Sequence, residues 1–160
     1  MADVPQAWAA SIQRLGGYSL REKACIEFRI PQAERQLDPA QAQSHLRFWL
    51  KARHALPPGA AMHASAFAYL SDWWINFASL AAHMRELDAA QRSVYVASLN
   101  HSIWFHSLPA ADQWLHVDSH SPCARDGRGL SIAQVHDAQG RLVATVTQEC
   151  LMAHAASAGA

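Results

Sequence analysis

Residues 96–105 of the chain read Val96-Ala97-Ser98-Leu99-Asn100-His101-Ser102-Ile103-Trp104-Phe105, and His106 follows. The alternation along this stretch is typical of a β-strand with one buried face. Ser98, Asn100 and His101 nevertheless lie in the middle of an apolar run, and strict alternation places Asn100 on the same face as Ser98. Polar groups in a half-buried strand cost free energy unless they are hydrogen-bonded or take part in function. The stretch therefore predicts a strand that contributes polar side chains to a functional site.

Apolar periodicity divides the rest of the chain into strand patterns on either side of one long helix. Residues 62–84 carry apolar side chains at three- and four-residue steps, which predicts a single continuous helix. Asp72 lies on that helix, away from its apolar stripe. The strand patterns lie at residues 24–30, 45–53, 93–106, 112–122, 128–136 and 141–151. This order predicts an α+β fold in which the last four strands form an antiparallel meander and the sheet wraps around the helix.

The same pattern predicts how the chain is divided. At 160 residues the chain is expected to form one domain. The first 23 residues are weakly patterned and are expected to be an extension or linker, while residues 24–152 form the folded domain. An Ala-rich tail at residues 153–160 is expected to fray. Asp137 to Gly140 predicts a hairpin turn between the last two strands, with Gly140 suited to positive φ.

Composition argues against several classes of protein. Lys plus Arg and Asp plus Glu each number 13, so the net charge is about zero, which disfavours a nucleic-acid partner. The chain shows no pattern of a secretory leader and no membrane-length apolar run, so a reduced cytoplasm is the expected location. The three cysteines are widely spaced and form no CxxC pair. The histidines that could share a strand face lack a third ligand at suitable spacing, so no metal site is predicted.

Three segments of the chain resemble the acyl-CoA thioesterase II family, the TesB-type double-hotdog thioesterases. Residues 68–72 are similar to the family's A-Y-[LI]-S-D, and residues 97–106 to its A-[ST]-[IL]-D-H-[SA]-M-W-F-H. Residues 140–149 are similar to G-x-L-V-A-[ST]-x-x-Q-E. The resemblance covers residues 24–152 and corresponds to the C-terminal half of the double unit. It implies a single hotdog domain, an antiparallel sheet wrapped around one long central helix.

The resemblance also implies a catalytic trio, which in this chain is Asp72, Ser98 and Gln148. In the family these residue types orient and activate a water that attacks a thioester carbonyl. The residue types suit the chemistry, because a carboxylate accepts the proton of the water while a hydroxyl and an amide fix its position. The expected substrate is an acyl-CoA or an acyl group on a carrier protein. Coenzyme A would enter as part of the substrate, and no other cofactor is expected.

Four further residues are candidates for substrate binding: Asn100, His101, Trp73 and Arg128. Asn100 stands where the family usually has Asp, so a charge beside the trio is lost. Arg128 is a candidate for the phosphates of coenzyme A, and Trp73 for the wall of the acyl pocket. Because family enzymes place their sites where two hotdog units meet, a lone unit is expected to form a homodimer or to pair with another hotdog chain.

Two other functions stay open at this point. One is a hotdog enzyme of different chemistry, such as a dehydratase, hydratase or cyclase, although the hydratase motif D-x-N-P-x-H is absent from the sequence. The other is a non-catalytic acyl-binding protein that acts as a subunit beside a separate hotdog chain. Retention of all three residues of the trio favours thioester hydrolysis over both.

Overall fold

A computed structural model describes residues 25–41, 43–89 and 94–154. Its strands are β1 (Ile26–Arg29), β2 (His45–Ala52), β3 (Val94–Phe105), β4 (Leu115–Arg125), β5 (Arg128–His136) and β6 (Leu142–His154). Its helical segments are α1 (Ala33–Gln36), a 3-10 turn (Pro39–Gln41), α2 (Ala60–Ser71), α3 (Phe77–Ala81) and α4 (Met84–Ala89). The predicted extension at residues 1–23 and most of the predicted tail lie outside the described residues. Within them, no helix is long and apolar enough to span a membrane.

The core lies between one face of the sheet and the helical segments. Leu46, Phe48 and Leu50 of β2 all point inward and are fully buried, as their alternation predicts. An aromatic cluster fills the space above them: the ring centroids of Phe28 and Trp74 are 4.9 Å apart, and Phe28 and Phe48 lie 5.5 Å apart. The antiparallel sheet therefore curls around central helices, and the predicted hotdog fold is confirmed.

The central helix differs from its prediction because it is interrupted. The apolar stripe of residues 62–84 is buried as expected, but α2 ends at Ser71 and α3 begins only at Phe77. The backbone between them makes i to i−3 bonds, such as Phe77 N to Trp74 O at 3.0 Å, which are typical of 3-10 turns. The Ser71 hydroxyl donates to the carbonyl of Ala68 at 3.2 Å, a contact that bends helices. Aromatic and β-branched residues in the break also have low helix propensity.

The sheet has the order β1-β2-β4-β5-β6-β3, so β3 is not part of the meander. Of the four strands predicted to form it, only β4, β5 and β6 lie side by side in chain order, and the hairpin between β5 and β6 contains Gly140 at φ 78° as predicted. The chain crosses to the far edge after the helices, where β3 pairs with β6. As a result Ser98 and Gln148, which are far apart in sequence, lie on neighbouring strands.

Gly129 allows the helices to approach the sheet closely. A Cβ at this position of β5 would lie 2.5 Å from the Cβ of Ser79 on α3, closer than carbon atoms pack. Ser79 is fully buried there, and its hydroxyl bonds the hydroxyl of Ser131 at 2.7 Å. The missing side chain of Gly129 therefore sets the distance between the sheet and the helical segment that follows Asp72.

Candidate active site

Asp72 lies where α2 ends and the helical path breaks. Its backbone is still helical, at φ −75° and ψ −11°, but the helix does not continue beyond it. Leu70 and Ser71 just before it are buried, whereas the Asp72 side chain is exposed at the side of the helix that faces β3 and β6. Asp72 thus presents its carboxylate to β3 and β6 at the point where α2 ends.

The structure brings Asp72, Ser98 and Gln148 together. The Ser98 hydroxyl donates to Asp72 Oδ1 at 3.0 Å, and Gln148 Nε2 donates to the same oxygen. Gln148 Nε2 also donates to Ser98 Oγ at 2.9 Å. A carboxylate only accepts hydrogen bonds, so these contacts fix the amide orientation of Gln148 and the direction of the Ser98 hydroxyl.

The unused acceptors of the trio lie on two of its members. Asp72 Oδ2 receives no hydrogen bond from the part of the chain that the structure describes. Gln148 is fully buried, and its Oε1 likewise has no partner among those residues. An amide oxygen that is buried without a partner costs free energy.

A β-bulge next to Ser98 overturns the prediction that Asn100 shares its face. Ser98 pairs with Cys150 and Asn100 pairs with Glu149, so β3 carries one extra residue, Leu99. An extra residue reverses the faces of all side chains after it. His101 therefore lies opposite Gln148 on the inner face, while Asn100 lies on the outer face.

His101 is consequently the only member of the polar run after Ser98 that the structure turns toward the trio. Its Nε2 lies 3.2 Å from Oγ of Ser71, the residue that directly precedes Asp72. Because the Ser71 hydroxyl donates to the Ala68 carbonyl, the imidazole is assigned as the donor in this bond. Burial lowers the pKa of His101, and the nearby Asp72 carboxylate opposes this only in part.

Comparison with known proteins assigns this chain to a family. The family model described as "Acyl-CoA thioesterase C-terminal domain" matches residues 4–152. The chain belongs to the acyl-CoA thioesterase family. The resemblance of the three motifs to the TesB type is thereby confirmed.

The relatives of this thioesterase domain are about twice its length. Acyl-coenzyme A thioesterase 8 of Mus musculus is 34% identical over 103 residues, which are 64% of this chain and 31% of that protein. Acyl-CoA thioesterase 2 of Haemophilus influenzae is 34% identical over 106 residues, which are 65% of this chain and 36% of that protein. The crystal structure of acyl-CoA thioesterase II TesB2 from Mycobacterium marinum aligns with a TM-score of 0.68 at 31% identity, covering 82% of this chain and 50% of that one. The matched part of the chain thus covers about a third of the length of these curated relatives.

Three of the other predicted site residues lie away from the trio of the thioesterase domain. Asn100 Nδ2 donates to Glu149 at 2.8 Å on the outer face, and Arg128 contacts the same carboxylate at 3.4 Å. The ring of Trp73 packs 5.1 Å from that of Phe28, on the β1 side of the core. The prediction placed Asn100 on the face of Ser98 because it assumed an unbroken strand, whereas Arg128 was predicted to contact the phosphates of coenzyme A and Trp73 to line the acyl pocket.

One residue beside the trio, Asn76, and one on the outer face, Glu149, make contacts that were not predicted from the sequence. Asn76 lies one helical turn after Asp72, and its Nδ2 donates to Ser98 Oγ at 3.4 Å. Glu149 joins Asn100 to Arg128 across the bulge. The four-residue spacing from Asp72 to Asn76 was a usable signal, because such residues share one helix face.

Other chemistries have little support at this site. Cys150 lies two residues after Gln148, but burial raises the pKa of its thiol to about 11, so it is not a ready nucleophile. Among the described residues, no group of three His, Cys, Asp or Glu side chains is arranged to bind a metal ion. The trio offers instead one carboxylate base held by a hydroxyl and an amide.

Proposed function

We propose that this domain hydrolyses acyl-CoA thioesters with Asp72 as the general base. The observation that carries the proposal is the convergence of Ser98 Oγ and Gln148 Nε2 on one oxygen of an exposed carboxylate. Two donors on Oδ1 hold the carboxylate plane and leave Oδ2 directed away from them. A base that is held in this way needs little reorganisation when a water binds to it.

In the proposed reaction, a water bound to Asp72 attacks the thioester carbonyl carbon. A C–O bond forms as the proton of the water passes to the Asp72 carboxylate. When the tetrahedral intermediate collapses, the C–S bond breaks and the thiolate takes that proton, which yields a carboxylic acid and a free thiol. Because the Ser98 proton is already directed to Asp72, we assign Ser98 to the carboxylate rather than to the water.

The test is release of free thiol from a panel of acyl-CoAs of short to long chain, with Asp72→Asn alongside. We expect kcat to fall by about 10² to 10⁴, because loss of a general base costs that much. Asn has the shape of Asp, so the unfolding midpoint should stay close to that of the wild type. Asp126→Asn is the matched control, since Asp126 lies on an exposed turn at φ 52°, where Asn is also tolerated.

The outcomes of this assay separate the remaining functions. Near-normal turnover by Asp72→Asn would refute the role of Asp72 as the base. Conversion of an enoyl or polyketide thioester without thiol release would favour a hotdog enzyme of different chemistry. Tight binding of acyl-CoA with no turnover by the wild type would favour an acyl-binding subunit.

We also propose that the reaction needs no metal or organic cofactor and that coenzyme A enters only as part of the substrate. The trio supplies the base and its orienting donors without one. His101 is then a candidate to contact the acyl-thioester from the inner face. Arg128 has a side chain that is 67% exposed, so it can still meet a phosphate beyond the outer face. The free cysteines Cys25 and Cys123 are exposed, which suits the reducing cytoplasm as the proposed location.

We further propose that β3 pairs with a second hotdog unit, in a homodimer or with another hotdog chain. The strand runs for 12 residues at the edge of the sheet, and edges of this length are normally covered. Its large outward side chains, Tyr95 and Trp104, are 58% and 52% exposed. Asp72 and Ser98 are also exposed next to this strand, so a second unit that covers its edge would enclose them.

Light scattering with size exclusion tests this assembly at micromolar concentration. We expect a dimer for the wild type and a shift toward monomer for Trp104→Glu, which places a charge on the covered edge. Trp49→Glu is the control, because Trp49 lies on β2 near the opposite edge of the sheet. A wild type that is monomeric and fully active would refute the proposed assembly.

A further inference from the structure

Asn76 is a buried amide near the trio whose bonding is only half used. Its side chain lies between α2 and α3, and the residue is 3% exposed. Nδ2 donates to Ser98 Oγ, while Oδ1 has no partner in the described ranges. A buried amide in this state costs free energy relative to an apolar residue of the same shape. Its presence beside Ser98 therefore needs an explanation other than packing.

The hydrogen bonds of Ser98 explain why a buried amide lies beside it. A hydroxyl has one proton and two lone pairs. The proton goes to Asp72 Oδ1, and Gln148 Nε2 donates to one lone pair at 2.9 Å. Asn76 Nδ2 approaches at 3.4 Å and donates to the other. Every bonding position of the hydroxyl is then filled, and it has only one acceptor to which it can donate.

We propose that Asn76 is a positioning residue of the thioesterase site, which acts through the Ser98 hydroxyl to hold the Asp72 carboxylate for proton transfer. The inference rests on the proposed hydrolysis. Without Asn76, one lone pair of Ser98 is open to water, and the hydroxyl can rotate to donate to that water instead of to Asp72. The carboxylate would then lose one of the two donors that orient it.

The surroundings of Asn76 support this role. Asp72 and Asn76 both face β3, since each of them contacts Ser98 Oγ. The Ser119 hydroxyl donates to the carbonyl of Ile75 at 3.2 Å, from a fully buried position on β4. This contact fixes the backbone directly before Asn76. Asn76 is thus held by the sheet and in turn contacts the trio.

A double-mutant cycle on the full chain tests the proposal, with Asn76→Leu as the variant because Leu has a similar volume and no polar atoms. We expect kcat to fall about ten- to a hundredfold, the effect of a displaced catalytic group, while KM changes by less than about twofold. Ser98→Ala should also lower kcat. Because Asn76 acts through Ser98, the double variant should be no slower than Ser98→Ala alone. A purely structural residue would lower kcat additively in both backgrounds.

Two further variants keep the test decisive. If Asn76→Leu fails to fold, Asn76→Ala is used in the same cycle, because truncation removes the donor without adding bulk. Ser79→Ala is the matched control: it removes a buried hydrogen bond from the same helical region but touches Ser131 rather than Ser98. It should lower stability and leave kcat unchanged.

The failures of the two proposals can be told apart. An active wild type with unchanged kcat in Asn76→Leu, or with additive losses in the cycle, overturns the role of Asn76 alone. A wild type that releases no thiol from any acyl-CoA overturns the proposed hydrolysis and this inference with it.

Discussion

Gly129→Ala should destabilise the domain by forcing α3 away from the sheet. The added Cβ would lie 2.5 Å from Ser79 Cβ and 2.7 Å from its Oγ, and 3.2 Å from the Met152 side chain. Carbon atoms pack at about 3.5 to 4.0 Å, so the backbone of α3 or β5 must move by about 1 Å. Ser79 cannot rotate away, because its Cβ is fixed to the helix.

The size of the effect follows from overpacking in a close-packed core. Inserting one methyl group without room typically costs about 1 to 3 kcal/mol. For a domain of this size each kcal/mol lowers Tm by about 2 to 4 °C, so the expected loss is about 2 to 12 °C. The shift of α3 would also carry Asn76 away from Ser98. We therefore expect kcat to fall along with stability.

Urea unfolding followed by tryptophan fluorescence measures the loss of stability, and Ser79→Gly tests its cause. Ser79→Gly removes the clashing Cβ, so the double variant should be more stable than the sum of the two single effects predicts. Gly140→Ala is the control, because a Cβ there meets no atom within 4 Å and only its φ of 78° is unfavourable. It should cost about 1 to 2 kcal/mol and show no coupling to Ser79→Gly. A stable Gly129→Ala, or purely additive effects, would contradict the proposed close approach.

Two further predictions follow from the titratable groups. Burial lowers the pKa values of His101 and His116, so the folded state binds protons less readily than the unfolded chain. The urea midpoint should therefore fall as pH drops through the ordinary histidine value of about 6.5, and level off below the folded pKa values; a midpoint that rises over this range would argue against buried neutral imidazoles. Cys150 should resist a thiol reagent until the protein unfolds, while Cys25 and Cys123 react at once, because the first is buried and the other two are exposed. Rapid labelling of all three in the folded protein would contradict this burial.

Features that depend only on residues close together in the sequence were predicted correctly. The two-residue period of β2 identified its buried face, and β5 begins and ends at residues 128 and 136 as predicted. The hairpin at Gly140 was predicted from equally local information, because its turn needs a residue that tolerates positive φ. The residues of the trio were named from short motifs. None of these predictions required knowledge of which strands lie side by side.

The interruption of the helix could not be predicted from its apolar stripe. A 3-10 turn and an α-helix keep similar faces over a few residues, so the stripe from Phe67 to Ala81 continues across the break. A contact from a distant part of the chain also lies at the break, the bond from Ser119 on β4 to the Ile75 carbonyl. Low helix propensity around Trp74 permits this bend but does not by itself require it.

The bulge in β3 was hidden for a similar reason. One extra residue reverses the faces of the strand, and Leu99 carries no signal of its own, since it is neither Gly nor Pro. The bond between Asn100 and Glu149 across the strands stabilises this register, and that pairing is known only once β3 is placed beside β6. Asn100 and His101 consequently exchanged the faces that alternation assigned to them.

The break in the helix and the bulge in β3 together create the site, whereas the motifs identify only its residues. Asp72 directly follows the last residue of α2, and its exposed carboxylate meets Ser98 and Gln148 there. Ser98 faces Asp72 from the last position before the bulge, and the bulge turns His101 to the same side. Gln148 lies on strand β6, and its Nε2 donates to both Asp72 and Ser98. The residue types are therefore encoded locally, whereas their convergence depends on long-range contacts that break the helix and shift the strand. This is the division expected where local rules are broken at a functional site.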